Sequence, residues 1–312
     1  MANTHEAEAR VTEIRRILCP VDFSEFSASG LAWAAAFAQL FGSDITVLHV
    51  LSAPVPPVGS ETYPARLLQV PDTRESIADD LHRLLGPLSS AGVTVLTQIA
   101  EGNTAAAIVR HAVEHDVDLV VMGTHGRSGF DRLTLGSVAE KVLRKAPCPV
   151  LTIPPGAART ALDVSVRRIL CPTDSSTGSE FAMDFALSLA DRAHAAVTAL
   201  HVVETMEARP ELSGALSELQ RRRCDTELQF LEESNAARAG GNAITNAVTL
   251  GRPYLEILRM VEERAIDVIV MGVRGRGPVD MALFGSTTNQ VVRRAACPVV
   301  TVCAPPGRHT RP

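Results

Sequence analysis

Short runs of apolar residues alternate along this chain with longer segments in which apolar residues recur at helical spacing. In the first half the apolar runs are RILCPV (16–21), DITVLHV (44–50), VTVLTQI (93–99), DLVVMG (118–123) and CPVLTI (148–153). Runs of this length that stay apolar are typical of strands buried on both faces of a parallel sheet. The alternation therefore predicts an α/β fold.

The segments between these runs carry the signals of helix ends. Ser24 or Ser27 is suited to be the N-cap of the first helix, and Gly42 to end it. A second helical pattern covers 72–91, and Asn103 is suited to cap the third helix. With right-handed crossovers, these elements predict a five-stranded, doubly wound sheet.

The whole pattern occurs twice. RRILCPVDFSEFS (15–27) returns as RRILCPTDSSTGS (167–179), and VDLVVMG (117–123) returns as IDVIVMG (266–272). Because the matching segments keep their order, we predict two tandem copies of a five-stranded, parallel, doubly wound (Rossmann-like) sheet. The predicted organisation is a disordered N-terminal tail at 1–13, a first copy at 14–153, a linker at 154–165, a second copy at 166–303 and a C-terminal tail at 304–312.

Composition narrows the classes of function. A length of 312 residues suits two domains, and a net charge of −5 argues against a nonspecific nucleic-acid binder. The one tight basic run, QRRRCD (220–225), is interpreted as a solvated helix face. The N-terminus lacks the pattern of a secretory signal, and the longest strongly apolar stretch (31–41) is too short to span a bilayer. We therefore expect a cytoplasmic protein with no membrane or nucleic-acid partner.

A glycine motif follows the fourth strand of each copy. MGTHGRSGFDRLTLGS (122–137) and MGVRGRGPVDMALFGS (271–286) both read Gly-x2-Gly-x9-Gly-Ser. Glycines let the backbone turn and approach a ligand, and the Gly-Ser pair opens a helix whose N-terminus favours an anion. Asp22 and Asp174 follow the first strand of each copy, at the edge of the sheet where such folds bind ligands. The motif therefore predicts a phosphate site in each copy.

Together with LHV (48–50) and the A-x-C-P-V segment before the last strand, these motifs resemble the universal stress protein family over nearly the whole chain. The resemblance implies the branch of that family in which the glycine motif holds ATP. In the first copy the implied ATP-binding residues are Pro20, Asp22, Val50, Met122, Gly123, Gly126, Arg127, Gly136, Ser137 and Val138. In the second copy they are Pro172, Asp174, Val202, Met271, Gly272, Gly275, Arg276, Gly285, Ser286 and Thr287. Asp22 and Asp174 would either bind Mg²⁺ with the phosphates or accept hydrogen bonds from the ribose.

The function implied is an ATP-binding regulator of the stress response, with slow ATP hydrolysis at most and an unidentified regulatory protein as partner. Because the residues between the glycines differ between the two motifs, we expect two sites of unequal affinity. The resemblance also implies that the two copies pair through their last strands, with a homodimer as a further expectation. Two alternatives stay open: an ATP-hydrolysing or adenylating enzyme of the related nucleotide hydrolase fold, and an interaction scaffold that needs no nucleotide.

Three other patterns are interpreted as structural. HAVEH (111–115) matches a zinc-protease pattern, but its counterpart MVEER (260–264) does not, so we interpret it as a solvent-facing helix. His49 and His201 are interpreted as neutral, hydrogen-bonded residues of the crevice at the carboxyl ends of the strands, where the ligand would bind. The six cysteines include no Cys-x-x-Cys pair and are interpreted as buried, reduced thiols.

Overall fold

The structure is a computed structural model of the chain. It describes residues 13–51, 74–88, 92–126, 135–157, 164–204, 213–236, 238, 243–273 and 285–303. The predicted tails lie outside these residues, apart from Glu13, and so do 158–163 of the predicted linker.

Strands and helices alternate through both copies, as predicted. The elements of the first copy are β1 (Arg16–Val21), α1 (Glu25–Phe41), β2 (Asp44–Leu51), α2 (Arg74–Leu85), β3 (Val95–Glu101), α3 (Thr104–Glu114), β4 (Leu119–Gly123), α4 (Ser137–Lys145) and β5 (Val150–Ile153). Those of the second copy are β6 (Arg168–Thr173), α5 (Thr177–Ala193), β7 (Ala196–Glu204), α6 (Ser213–Ala236), β8 (Ile244–Gly251), α7 (Pro253–Glu263), β9 (Val268–Gly272), α8 (Ser286–Arg294) and β10 (Val299–Val302).

The helix ends follow local side-chain chemistry. The Ser24 side chain accepts a hydrogen bond from the backbone N–H of Ser27, so Ser24 is the cap of α1, and Gly42 ends this helix with a left-handed φ of 70°. Asn103 caps α3 in the same way, as predicted. The helical pattern over 72–91 contains Pro87, which was expected to limit the helix, and α2 does end at Leu85, before a 3₁₀ turn that contains Pro87.

The ten strands of the described residues form one continuous sheet in the order β3-β2-β1-β4-β5-β10-β9-β6-β7-β8. Within each copy the neighbouring strands are parallel. The copies meet where β5 and β10 pair antiparallel, with Val300 opposite Leu151, and we call this contact the seam. Its two buried threonines are satisfied across it: the Thr152 hydroxyl donates to the Val299 carbonyl at 3.1 Å and the Thr301 hydroxyl donates to the Val150 carbonyl at 3.2 Å.

Two apolar layers cover the sheet, and each runs through both copies. One face packs against α1, α2, α5 and α6, with buried residues such as Trp33 and Phe185. The other face packs against α3, α4, α7 and α8, with buried residues such as Leu143 and Val291. Among the described helices, none has the length and apolar character needed to cross a lipid bilayer. The basic run 220–225 lies on α6 with its three arginines exposed, as predicted.

All six cysteines lie in the described residues and none of them forms a disulfide, but their burial differs in part from the prediction. Four are buried, namely Cys19, Cys148, Cys171 and Cys297. Cys224 and Cys303 are only half-buried, so the prediction was wrong for these two. Cys224 lies on the largely exposed helix α6, and Cys303 follows the last residue of β10, so neither is enclosed by the sheet and its helices.

We expect the fold to lose stability as the pH rises above 9. Burial raises the pKa of Cys19 and of Cys171 from 9.0 to about 12. Between these values an unfolded thiol ionises while the folded one keeps its proton, so the unfolded state binds fewer protons and the free energy of unfolding falls with rising pH. This contribution is fully present below pH 9, and the loss is about 1.4 kcal/mol per thiol at about pH 10.

Urea unfolding at about pH 8 and about pH 10 measures this loss. A variant with alanine at both positions, Cys19→Ala with Cys171→Ala, should be less stable at the lower pH but should decline less steeply. An equally steep decline in that variant would contradict the assignment to these two thiols.

Candidate functional site

In each copy the winding of the sheet reverses between the first and the fourth strand. In the first copy β1 lies beside β4, and in the second β6 lies beside β9. Asp22 directly follows β1, and the glycine motif begins at the end of β4. Both therefore lie at the carboxyl-end crevice of the sheet, where doubly wound folds bind ligands. Asp174 and Gly272 hold the same positions in the second copy.

The structure brings Asp22 and Gly126 together. A Cβ atom built on Gly126 would lie 2.7 Å from Oδ2 of Asp22. The other carboxylate oxygen, Oδ1, accepts hydrogen bonds from the backbone N–H of Ser24 at 3.1 Å and from its hydroxyl at 2.5 Å. One oxygen of Asp22 is therefore turned to the start of α1 and the other lies over the glycine loop.

The residue after each aspartate has a left-handed backbone. Phe23 has a φ of 61° and Ser175 a φ of 59°. In the second copy Oδ1 of Asp174 accepts a hydrogen bond from the backbone N–H of Ser176 at 3.1 Å, as Asp22 does from Ser24. A left-handed φ in a residue other than glycine costs of order 1–3 kcal/mol and is found most often at functional sites. The same costly turn follows the aspartate in both copies, where the chain passes from the first strand into the first helix.

One wall of the crevice is apolar. Val50 and Met122 are 9% and 6% exposed and belong to the core cluster under α3 and α4, and Val138 packs against this cluster. Val202 and Met271 have the corresponding positions in the second copy. Pro20 and Pro172 lie on the first strands, opposite Leu48 and Leu200 respectively.

The helices that open the predicted phosphate sites have no side-chain cap. Gly136 is the N-cap of α4 and Gly285 that of α8, and neither helix start has a capping hydrogen bond from a side chain. Ser137 and Ser286 are therefore the first residues of these helices, and both are exposed. Thr287 follows in the first turn of α8. The first-turn N–H groups and the positive end of the helix dipole favour an anion here.

The glycines at the ends of β4 and β9 are required for a reason that the sequence did not show. A Cβ on Gly123 would lie 3.0 Å from Cβ of Phe26 and 3.1 Å from its carbonyl oxygen. A Cβ on Gly272 would lie 2.7 Å from the carbonyl carbon of Gly178. Neither glycine has a left-handed φ. Gly123 lets the first turn of α1 pack closely on β4, and Gly272 does the same for α5 on β9. Contact of either glycine with a ligand stays a prediction.

Three predicted site residues, Arg127, Gly275 and Arg276, lie outside the described residues.

The interpretation of His49 and His201 as hydrogen-bonded residues is confirmed. Nδ1 of His49 lies 2.8 Å from the Val21 carbonyl oxygen, and Nδ1 of His201 lies 3.0 Å from the carbonyl oxygen of Thr173. The His49 ring packs on Phe23 with 4.6 Å between centroids. Since successive side chains of a strand point to opposite faces, His49 lies on the face opposite Val50.

The expectation of a solvent-facing histidine pair on α3 was wrong for His111. Its exposure is 7%, and it lies on the same face of α3 as Ile108 and Ala112, which are also buried. That spacing of three and four residues is the signal that could have revealed it. Burial, followed by the charge of His115 stacked at 3.9 Å, lowers the pKa of His111. Within the described residues no three metal-ligating side chains come together, here or elsewhere.

Comparisons with known proteins agree over the two copies. A model described as the universal stress protein family matches residues 13–154 and again 165–302. A universal stress protein of Mycolicibacterium smegmatis is 28% identical over 292 residues, which cover 92% of this chain and 96% of its own. Another, from Methanocaldococcus jannaschii, is 32% identical over 143 residues, 45% of this chain and 81% of its own. The crystal structure of a universal stress protein from Archaeoglobus fulgidus has the same fold, with a TM-score of 0.67 at 23% identity over 94% of this chain and 97% of its own.

Proposed function

The chain belongs to the universal stress protein family, and from that premise we propose that it binds ATP at the crevice of one or both copies and acts as a stress-response regulator. The observation that supports this most directly is the position of Asp22 over Gly126 at the point where the winding of the sheet reverses. Two elements far apart in the sequence there place a carboxylate and a glycine backbone next to an uncapped helix start.

Each part of the crevice suits one part of the nucleotide. The start of α4 offers backbone N–H groups and a positive dipole end to the phosphates, with the exposed Ser137 hydroxyl as a further donor. Val50 and Met122 provide an apolar surface for the base. A carboxylate repels phosphate unless a cation lies between them, so Asp22 either accepts from the ribose hydroxyls or holds Mg²⁺ with the phosphates.

The second copy offers the same parts with a different lining. Asp174, Val202 and the Gly285 cap are in the corresponding places. In the first copy, however, the Phe23 ring packs on His49 and the Phe26 ring on His125, whereas the second copy has Ser175 and Gly178 at these positions. We therefore propose two sites of unequal affinity.

Substituting the aspartate tests the site. We expect Asp22→Asn to weaken ATP binding by about 10- to 100-fold, because a charge-assisted hydrogen bond or a cation ligand is lost. Asp174→Asn should weaken only the second site. Titration calorimetry on protein stripped of nucleotide, with and without Mg²⁺, gives the affinities and the number of ATP molecules per chain.

Asp191→Asn is the matched control, since it removes the same charge from an exposed position on α5. It should leave both affinities unchanged. If the stripped wild-type protein binds no ATP, or if both aspartate variants bind as well as the wild type, the proposal is wrong. Dependence of the Asp22 effect on Mg²⁺ would assign that carboxylate to the cation, and its absence would assign it to the ribose.

The regulatory role is proposed in preference to catalysis because the two strand-end histidines bond to backbone carbonyls and lie on the face away from the apolar wall. We expect tight ATP binding with negligible turnover. Steady conversion of ATP to AMP and pyrophosphate would instead favour an adenylating enzyme.

A further inference from the structure

Two cysteines from different copies lie at one end of the seam. In the antiparallel pairing Val299 is opposite Thr152 and Thr301 is opposite Val150. The pairing ends at Thr301 and Val150; continued by two residues, its register brings Cys303 to the level of Cys148, which lies in the bend before β5. Residues at the same level of an antiparallel pair have Cα atoms about 4.5–5.5 Å apart, which lies within the 4.4–6.8 Å that a disulfide spans.

The two side chains also point to the same face of the sheet. Cys148, Val150 and Val299 belong to the apolar cluster under α4 and α8, and Cys303 packs against that cluster. Val300 and Val302, at the alternate positions of β10, belong to the cluster on the opposite face. The thiols are close enough for the charge of Cys303 to contribute to the raised pKa of Cys148.

The duplication supplies this pair only once. By the repeat, Cys297 corresponds to Cys148, and Pro154 corresponds to Cys303. The other end of the seam therefore has one thiol and one proline, although Cys297 is as buried as Cys148. Cys297 is thus a matched thiol without a partner across the seam.

We propose that Cys148 and Cys303 are a modification site, at which a hydroperoxide converts the two thiols into a reversible disulfide across the seam. The half-buried Cys303 reacts first. Its sulfur attacks the peroxide, the O–O bond breaks, and Cys303 becomes a sulfenic acid while one water leaves. The Cys148 sulfur then attacks the Cys303 sulfur, the S–O bond breaks, and a second water leaves. Two thiols and one hydrogen peroxide thus give one disulfide and two waters.

The bond would tie the end of β10 to the residues that lead into β5. It would hold the seam closed, since the two copies could no longer separate at that end. Burial, the main cause, raises the pKa of Cys148 to about 12. Little of this thiol is ionised near neutral pH, so the second step is slow and speeds up about tenfold per pH unit.

The test treats the reduced full-length protein with hydrogen peroxide and blocks the remaining thiols. Peptide mass spectrometry and a non-reducing denaturing gel then identify any bond. We expect a linkage between Cys148 and Cys303 within one chain, loss of two of the six thiols, faster migration on the gel and reversal by dithiothreitol. The oxidised protein should unfold at a higher urea concentration than the reduced one.

Three serine variants decide which thiols form the bond. Cys303→Ser should abolish both the linkage and the rise in the urea midpoint. Cys297→Ser, the matched control, and Cys224→Ser, which removes the half-buried thiol on α6, should keep both. The proposal is overturned if the linkage persists in Cys303→Ser, if only bonds between chains form, if Cys303 oxidises to the sulfinic acid without a linkage, or if oxidation lowers the urea midpoint.

Discussion

Gly272→Ala is expected to lower the free energy of unfolding by about 2–3 kcal/mol. The new methyl carbon would lie 2.7 Å from the carbonyl carbon and 2.8 Å from the carbonyl oxygen of Gly178. Both are backbone atoms, so no side chain can rotate away. Either β9 or the first turn of α5 has to shift, and both belong to the close-packed centre of the second copy.

Two other glycines make this a graded series. At Gly123 the shortest contact of the new carbon is 3.0 Å, to Cβ of Phe26, so Gly123→Ala should cost less than Gly272→Ala. At Gly30, inside α1, the shortest contact is 3.5 Å, an ordinary van der Waals distance. Gly30→Ala should therefore raise stability by up to about 1 kcal/mol, because alanine is the better helix former.

Urea unfolding of the three variants, monitored by circular dichroism, gives the order of their stabilities directly. From the most to the least stable, we expect the order Gly30→Ala, wild type, Gly123→Ala, Gly272→Ala. If Gly272→Ala is as stable as the wild type, α5 does not pack against β9 as closely as the structure shows.

Val300→Asp is expected to cost more than any of the glycine changes, about 4 kcal/mol or more. Val300 has an exposure of 0% and lies in the seam opposite Leu151, which is equally buried. The variant places a carboxylate between the two copies, in a cluster of apolar residues. An unpaired charge in such a place makes the whole sheet unstable, because β10 lies at its centre.

Since Val300→Asp could fail to fold, Val300→Ala supplies a measurable cost, of about 1–3 kcal/mol from the lost methyl groups and the cavity. Leu219→Asp introduces the same charge at a position on α6 that is 73% exposed and should change stability by no more than about 0.5 kcal/mol. Thermal and urea unfolding of the three variants, with their soluble yields, provide the comparison. A Val300→Asp protein with the wild-type midpoint would contradict the buried seam.

Much of the fold follows from local patterns. The apolar runs predicted the first-copy strands, although β3 and β5 each start two residues later than the runs VTVLTQI and CPVLTI suggested. Asn103 was identifiable as a cap, and Ser24 as one of two candidates with Ser27, because a cap acts on backbone N–H groups only three residues away. The duplication could be recognised in the sequence because each copy repeats the same local motifs in the same order.

The candidate site was predictable in its parts but not in its contacts. The motif located the glycines, and the strand end located Asp22, but nothing in the sequence showed which carboxylate oxygen lies over Gly126. The tight packing of Gly123 and Gly272 was missed because the residues that require it, Phe26 and Gly178, are about a hundred positions earlier in the chain. His111 was misjudged because the interpretation depended on the missing counterpart of HAVEH in the second copy and not on the place of His111 on the apolar face of α3.

The sequence by itself therefore determined the α/β class, the presence of two copies, the order of strands and helices along the chain, and the residues at the end of each strand. Those features depend on the spacing of apolar residues and on helix capping, both of which act over a few residues. Only the tertiary structure decided the direction and register in which the last strands of the two copies pair, which glycines the helices crowd, and that this register brings Cys303 towards Cys148. These depend on contacts between residues a hundred or more positions apart, and the register of two strands is set by the packing of both sheet faces at once.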